Sequence, residues 1–337
     1  MSRADTGTPL TLPWAVEEIL ACPRCRGDVV RAGRGFACAR CTLTFASPGG
    51  IPAFVTGAQA PEIAQELAWY SPSRNARLSR LPDRHHFAHG AARAPIAEEL
   101  RRLGMDDRAV ILSVATGTGV EIPFIQQVSR RIVAIDASAD ALRGFRRRWP
   151  YLAFQADAGR LPFKDESFDA VVVCALLHHL AGYTALAPYM AEFVRVTRTH
   201  GTVLAVEPNS WYPVQWVLGP VNRAVQRIRP GWRGLVPHER PLSPRFLARQ
   251  FERAGLSGVR VSSTTFVHNR LPRFLAARVV AWEGRVRTRR PFRSFGWWIL
   301  VSGRREGGWA AAPADVSHVE ALTIARPGVI PAEANAP

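Results

Sequence analysis

Two groups of residues in this chain have types and spacings that suit chemistry. The first is AVILSVATGTG, Ala109 to Gly119, in which apolar Val110, Ile111, Leu112 and Val114 run into the small residues Ala115, Thr116, Gly117, Thr118 and Gly119. This predicts a buried strand that opens into a glycine loop. Glycine there permits backbone angles that side chains forbid, and lets a ligand reach the main chain. Taken alone, such a loop serves a tight turn as readily as a ligand. The second group is CPRC and CARC: Cys22 and Cys25, then Cys38 and Cys41, two CxxC pairs separated by 12 residues. Four thiolates on two tight turns can converge on one tetrahedral zinc ion, and with no ligand position left open the role is structural. A disulfide pair is the alternative, which a reducing cytosol disfavours.

The elements that must position the loop follow it in order. IVAID, Ile132 to Asp136, is a second apolar strand whose terminal carboxylate lies 17 residues beyond Gly119, about where an acid meets ribose hydroxyls in dinucleotide folds. FQAD, Phe154 to Asp157, predicts a third strand, FDAVVVC, Phe168 to Cys174, a fourth, and GTVLAVE, Gly201 to Glu207, a fifth. Strands alternating with helical stretches give a parallel sheet with helices on both faces, and such sheets bind ligands at their carboxyl ends.

With these residues in register, the segment from about Ala60 to Arg305 resembles the class I S-adenosylmethionine-dependent methyltransferases. The resemblance implies an α/β fold, a Rossmann-like seven-stranded methyltransferase sheet. It also implies that Ser113, Ala115, Thr116, Gly117 and Gly119 cradle the methionine part of S-adenosylmethionine, Asp136 with Ala137 the ribose, and Asp157 with Ala158 the adenine, Cys174 completing the set. LPFKDESFDAVVV, with Phe163, Phe168 and Asp169, matches the family's lead into the fourth strand, and Leu177, His178 and His179 the loop after it. The family commonly has an acid where Ser113 stands and a glycine where Ala115 stands. Ser113 replaces a charged acceptor with a neutral one, which leaves a non-catalytic cofactor-binding scaffold or activator as an alternative.

ILACPRCRGDVV, CTLTF and GGIPAFV, within Trp14 to Val55, resemble a small zinc-ribbon family that includes an activator subunit of tRNA and protein methyltransferases. Arg24, Arg26 and Arg40 lie within the knuckles, placed to offset the charge of four thiolates on one divalent cation. The expected organisation is a flexible leader over 1–13, a zinc ribbon over 14–56 and the methyltransferase domain over 57–306. Inserts at about 208–240 and 268–296 interrupt that domain, and a disordered tail covers 307–337.

Composition bounds the rest. A chain of 337 residues that is 47% hydrophobic and 21% charged can build a large core. No signal peptide or membrane span is read in it, so a cytoplasmic location is expected, with peripheral membrane contact as an option. The net charge of +17 invites an anionic partner, yet Lys164 is the only lysine, which is the mark of a coding bias towards arginine. Clustering is more telling: Arg270 to Glu306 holds 10 arginines against Glu283 and Glu306.

The first insert mixes Trp211, Tyr212, Trp216, Val217 and Leu218 with a helix bearing Val221, Val225 and Ile228 on one side and Arg223, Arg227 and Arg229 elsewhere. It can roof the site or lie on an anionic surface. The second carries Phe274, Leu275, Val279, Val280 and Trp282 beside arginines in a basic helix, and interrupts a closing hairpin of Gly258 to Val267 with Trp297 to Arg304. Tyr70 to His89 reads as a loop over the cofactor mouth, in which Tyr70, Arg74, His85 and His86 are candidate contacts. His178, then His179 and His238, are candidates for taking a proton from an acceptor hydroxyl, with loop packing as the alternative. Cys174 reads as a buried small residue rather than a nucleophile. The resulting expectation is a methyltransferase acting on a small-molecule or lipid-linked acceptor, with RNA methylation as the less favoured alternative.

Overall fold

In the computed structural model the described residues are 16–56, 67, 83–181, 185–228, 241–269 and 271–307. The expected leader, most of the mouth loop, His238 and nearly all of the tail lie outside them. Seven strands form the main sheet: β4 Val110–Val114, β5 Arg131–Asp136, β6 Leu152–Gln155, β7 Phe168–Cys174, β8 Thr197–Pro208, β9 Leu256–Thr265 and β10 Trp298–Arg305. Their spatial order is β6-β5-β4-β7-β8-β10-β9. All neighbours up to β8 are parallel, and β10 runs antiparallel to both β8 and β9. The glycine loop therefore leaves the middle of the sheet, where the strand order reverses direction and a crevice opens.

The alternation of side chains sorts the strands' apolar residues into two layers. Leu112, Val114, Val133, Ile135, Val171 and Val173 face one layer; Ile111, Ile132, Ala134, Val172 and Leu204 face the other. Helices cover both. α2 Asp83–Arg93 and α3 Pro95–Arg102 precede the sheet, so the expected mouth loop is helical from Asp83 onward. α3 begins with Pro95 in its first turn and ends on Arg101 and Arg102, the asymmetry that suits the free N–H groups and the dipole of a helix. After β4 and β5 come the short α4 Ile122–Ile125 and α5 Ala139–Arg146. Ser138 caps α5, its Oγ accepting from Ala141 N at 3.2 Å. α6 Leu177–Leu180 follows β7, α7 Ala187–Val196 precedes β8, and α9 Pro244–Arg253 precedes β9.

The third strand ends earlier than expected, at Gln155. Asp157 turns its carboxylate back to accept from Gly159 N at 2.8 Å, which bends the chain out of the ladder. The fifth strand is longer than expected, starting at Thr197. In the first insert the whole stretch Pro213–Ile228 is one helix, α8, with Pro220 inside it, so helical structure extends into the aromatic half that was read separately. The second insert supplies α10 Arg273–Glu283.

The N-terminal module consists of the single-turn α1 Val16–Ile19 and a sheet of β1 Val29–Ala32, β2 Gly35–Cys38 and β3 Thr44–Phe45. Its apolar residues join the layer on one face of the main sheet. A chain of rings makes the connection: Phe45 to Phe54 at 4.7 Å, Phe54 to Phe154 at 5.9 Å, Phe154 to Phe163 at 5.7 Å and Phe163 to Phe168 at 4.9 Å. At the end of the ribbon the backbone pairs with β6, Phe54 N donating to Gln155 O at 2.7 Å and Gln155 N to Pro52 O at 2.9 Å. The ribbon thus covers the edge strand of the sheet, which would otherwise present unpaired backbone.

Arg26 does not remain at the thiolates. Its guanidinium donates to Leu161 O at 2.8 Å and to Glu192 at 2.7 Å. Glu192, 7% exposed, takes a charge partner there and also holds Arg195 at 2.8 Å.

Candidate active site

The carboxyl ends of β4, β5 and β7 bring together most of the residues singled out above. Ala115 has φ of 55°, Gly117 of 54° and Gly119 of 81°. At Gly119 an added Cβ would sit 2.4 Å from Trp149 Nε1, so side-chain space and backbone conformation both require glycine. At Gly117 nothing lies within 4 Å of that position; the loop is open where a ligand would approach. Ala115, a residue with a side chain in the same left-handed region, carries local strain at the site.

Ser113 is fully buried, and its hydroxyl does not face an empty acceptor position. Ser113 Oγ and Thr116 Oγ1 each donate to Glu121 Oε1 at 2.6 Å. Glu121, two residues past the loop, is itself buried. Burial pushes its carboxyl above the usual range, while the two hydroxyls pull it partly back. The acid absent from the strand end therefore enters the same place from the start of the next helix. Its sequence signal is an acid at the N-cap of the helix that follows a glycine loop, which was not singled out.

Asp136 ends β5 with both oxygens engaged by backbone: Gly117 N donates to Oδ2 at 2.8 Å and Ser138 N to Oδ1 at 2.8 Å. Each oxygen keeps a lone pair for a further donor. Burial raises its carboxyl to about 6, against these two hydrogen bonds. Ala137 O accepts from Gln155 Nε2 at 2.9 Å, which joins the ends of β5 and β6. Asp157 and Ala158 follow β6, half-buried. Cys174 is buried at the end of β7, and burial pushes its thiol well above the usual range, so it stays a protonated, unreactive side chain. Arg93, also buried, lies over the ring of Trp298 at 5.0 Å.

His178 is held more firmly than its loop position suggests. Its Nδ1 lies 2.7 Å from Glu207 Oε2, with the histidine side chain 8% exposed and the glutamate 0%. Glu207 Oε1 accepts from Leu176 N at 3.0 Å and Leu177 N at 2.9 Å. A carboxylate anchored by backbone at the end of β8 fixes the imidazole with its proton on Nδ1, leaving Nε2 as the basic nitrogen. The His179 ring lies beside it, tilted by 39° with ring centroids 4.0 Å apart. Glu207 was legible only as a strand end. Tyr70, Arg74 and the side chains of His85 and His86 lie outside the described residues.

The four ribbon cysteines place their sulfurs within 4.8 Å of one another, with Cys22 Sγ to Cys41 Sγ at 3.6 Å and Cys25 Sγ to Cys38 Sγ at 3.5 Å. Disulfide sulfurs lie about 2.05 Å apart, whereas four thiolates about 2.3 Å from a zinc ion stand about 3.8 Å from one another. The donor set fits a tetrahedral metal. Arg40 N and Cys41 N donate to Cys38 Sγ at 3.3 and 3.4 Å, the backbone support such thiolates take.

A strand-end acid with a free lone pair on each oxygen, an open glycine loop and a buried carboxylate beside it suit a cofactor with a ribose and a cationic amino acid part. Comparison with known proteins agrees with this geometry. Residues 112–205 match the family model described as a methyltransferase domain. The chain is 34% identical over 123 residues to a demethylmenaquinone methyltransferase of Beutenbergia cavernae, covering 36% of this chain and 50% of that protein. Demethylmenaquinone methyltransferases of Mycobacterium bovis and Streptomyces avermitilis are 33% identical over 167 residues and 34% over 164. These matches cover 46% and 44% of this chain and 69% and 68% of the relatives. The chain thus spans half the length of the first relative and about two thirds of the others. Site geometry, matched domain and relatives converge, and the chain belongs to the S-adenosylmethionine-dependent methyltransferases.

Proposed function

We propose that the protein methylates a small apolar acceptor of the quinone type, in its reduced, hydroxyl-bearing form, with S-adenosylmethionine as donor. The observation that carries the acceptor class is the identity to enzymes named for demethylmenaquinone, over two thirds of their length. The geometry supplies the chemistry. Bound cofactor would offer an electrophilic methyl group; the chain's own residues orient and deprotonate.

Ser113, Ala115, Thr116, Gly117 and Gly119 would hold the amino acid part, with Glu121 facing its ammonium group. Asp136 and Ala137 would take the ribose, Asp157 and Ala158 would line the adenine side, and Cys174, at the end of β7, would complete the set. His178 Nε2 would accept the acceptor's hydroxyl proton, which raises the electron density of the neighbouring ring carbon; that carbon would bond the methyl as the methyl–sulfur bond breaks, then lose its own proton while the oxygen regains one, for one proton released in all. Glu207 stabilises the imidazolium that results. His179 supports the ring of His178. Cys22, Cys25, Cys38 and Cys41 would hold a structural zinc ion.

The test is turnover on a short-chain demethylated naphthoquinol. His178→Ala is expected to lower kcat by about a hundredfold or more with cofactor affinity unchanged, and Glu207→Gln to lower it less. Full turnover in His178→Ala would remove the base from this reading. No product from the wild-type enzyme, despite cofactor binding, would remove the acceptor class.

A further inference from the structure

Among the described residues eleven large apolar side chains are exposed, and eight of them lie in the two inserts: Val214, Trp216, Val221 and Ile228 on α8, and Phe274, Leu275, Trp282 and Phe292 on or after α10. Trp216 is 60%, Phe274 67% and Ile228 81% exposed. Such a concentration of aromatics and aliphatics facing water in one part of a surface marks an interaction site.

Charge in the same segments is one-sided. Arg227, Arg273, Arg278, Arg285, Arg289 and Arg290 are exposed. Residues 208–228 contain no acid, and the only one in 271–296 is Glu283. Glu283 is 3% exposed and turned inward, accepting from Phe266 N at 2.7 Å and Thr265 Oγ1 at 3.1 Å. Among the described residues of the two inserts, the outward face therefore carries arginine and apolar groups without an exposed carboxylate.

Topology fixes where this face stands. α8 leaves the carboxyl end of β8, and α10 bridges the end of β9 and the start of β10, where Trp298 pairs with both Pro208 and Thr265. Both inserts rise from the edge that carries the glycine loop, Asp136 and His178. Their bases are joined: Asn209 Nδ2 donates to Ser294 O at 2.9 Å and Gly296 O at 2.8 Å, and the Tyr212 ring stacks on His268 at 6.1 Å.

We propose that α8 and α10 form a docking surface for an anionic lipid bilayer, with their aromatics at the acyl boundary and their arginines at the headgroup phosphates. Charge complementarity and the pairing of Trp and Arg suit an interface-lying helix, and none of the described helices is long and apolar enough to cross a membrane. Docking there would turn the mouth of the site to the bilayer, from which a lipid-linked acceptor can enter without crossing water. This rests on the proposed acceptor class.

The test is sedimentation of the full chain with vesicles of phosphatidylcholine alone or with phosphatidylglycerol added, at low and raised salt. Binding is expected only to the anionic vesicles and is weakened by salt. Trp216→Ala with Phe274→Ala, and separately Arg285→Glu with Arg289→Glu and Arg290→Glu, should each lower the partition coefficient at least tenfold. Turnover on a water-soluble short-chain acceptor should be unchanged, which shows that both variants fold.

Absence of binding to anionic vesicles would overturn the proposal. So would preference for RNA over vesicles at equal salt, or a dimer that the same variants dissolve in a protein that ignores vesicles. Methylation of the short-chain acceptor without vesicle binding would leave the acceptor reading intact. Vesicle binding without such methylation would leave the surface and remove the acceptor.

Discussion

At the scale of single residues, the site turns on where its carboxylates stand. Ser113 occupies a position where an acid is common, and from the sequence this looks like a loss. With Glu121 in place we propose a relocation instead, since Ser113 Oγ and Thr116 Oγ1 both donate to one buried oxygen of Glu121. Glu121→Gln keeps the shape and removes the charge, and is expected to weaken cofactor binding by about tenfold or more by calorimetry, about 1.4 kcal/mol. Ser113→Asp should also weaken it, since a second carboxylate beside Glu121 adds repulsion. Improved binding in Ser113→Asp would contradict the relocation.

Asp136 gives a pH dependence with a definite sign. On the proposal that it accepts from ribose hydroxyls, its carboxyl, raised to about 6 by burial, does so most strongly when ionised. Below about pH 6 binding must first release a proton, so cofactor affinity should fall towards tenfold per pH unit. Asp136→Asn should bind weakly, without this contribution to the pH dependence. The same raised value opposes folding: the stability present below the usual carboxylate range is reduced as pH rises through about 6.

At the scale of elements, the strands were legible because the sequence alternates and breaks where the backbone does. Phe168 to Cys174 was read to its ends, and Val110, Ile111, Leu112 and Val114 could hardly be anything but a central strand. What was not legible depended on partners distant in sequence. Asp157 looked like strand until its turn with Gly159 was seen. Arg26 looked like a counterion for thiolates until Glu192, 166 positions away, was found to hold it. Glu207 was visible as the end of an apolar run, but its hydrogen bond to His178 requires β7 and β8 to be neighbours.

The ribbon's edge pairing with β6 was equally hidden, and it has a consequence. Substituting Cys38→Ala, or stripping the zinc ion we propose for the four cysteines, should loosen the backbone bonds between Pro52, Phe54 and Gln155. Since Gln155 also ties β6 to Ala137, cofactor affinity should fall together with Tm, the latter on the order of 10 °C if about 3 kcal/mol is lost. Unchanged cofactor affinity in a metal-free but folded protein would detach the ribbon from the site.

At the scale of the whole molecule, one sheet divides the chain into two apolar layers. The ribbon closes one sheet edge, and the inserts crowd the ligand end beside β8 and β9. Net charge of +17 says little about function by itself. Its placement says more: in the two inserts exposed arginines stand beside exposed aromatics, and the inserts' one carboxylate among the described residues, Glu283, is buried. The measurement that tests the central claim most directly is methyl transfer from labelled S-adenosylmethionine into a membrane-lipid extract, with RNA, protein and water-soluble fractions alongside. Label in a quinone-type lipid, lost in His178→Ala, is the predicted result. Label confined to RNA or protein, or none in any fraction despite measured cofactor binding, would contradict it.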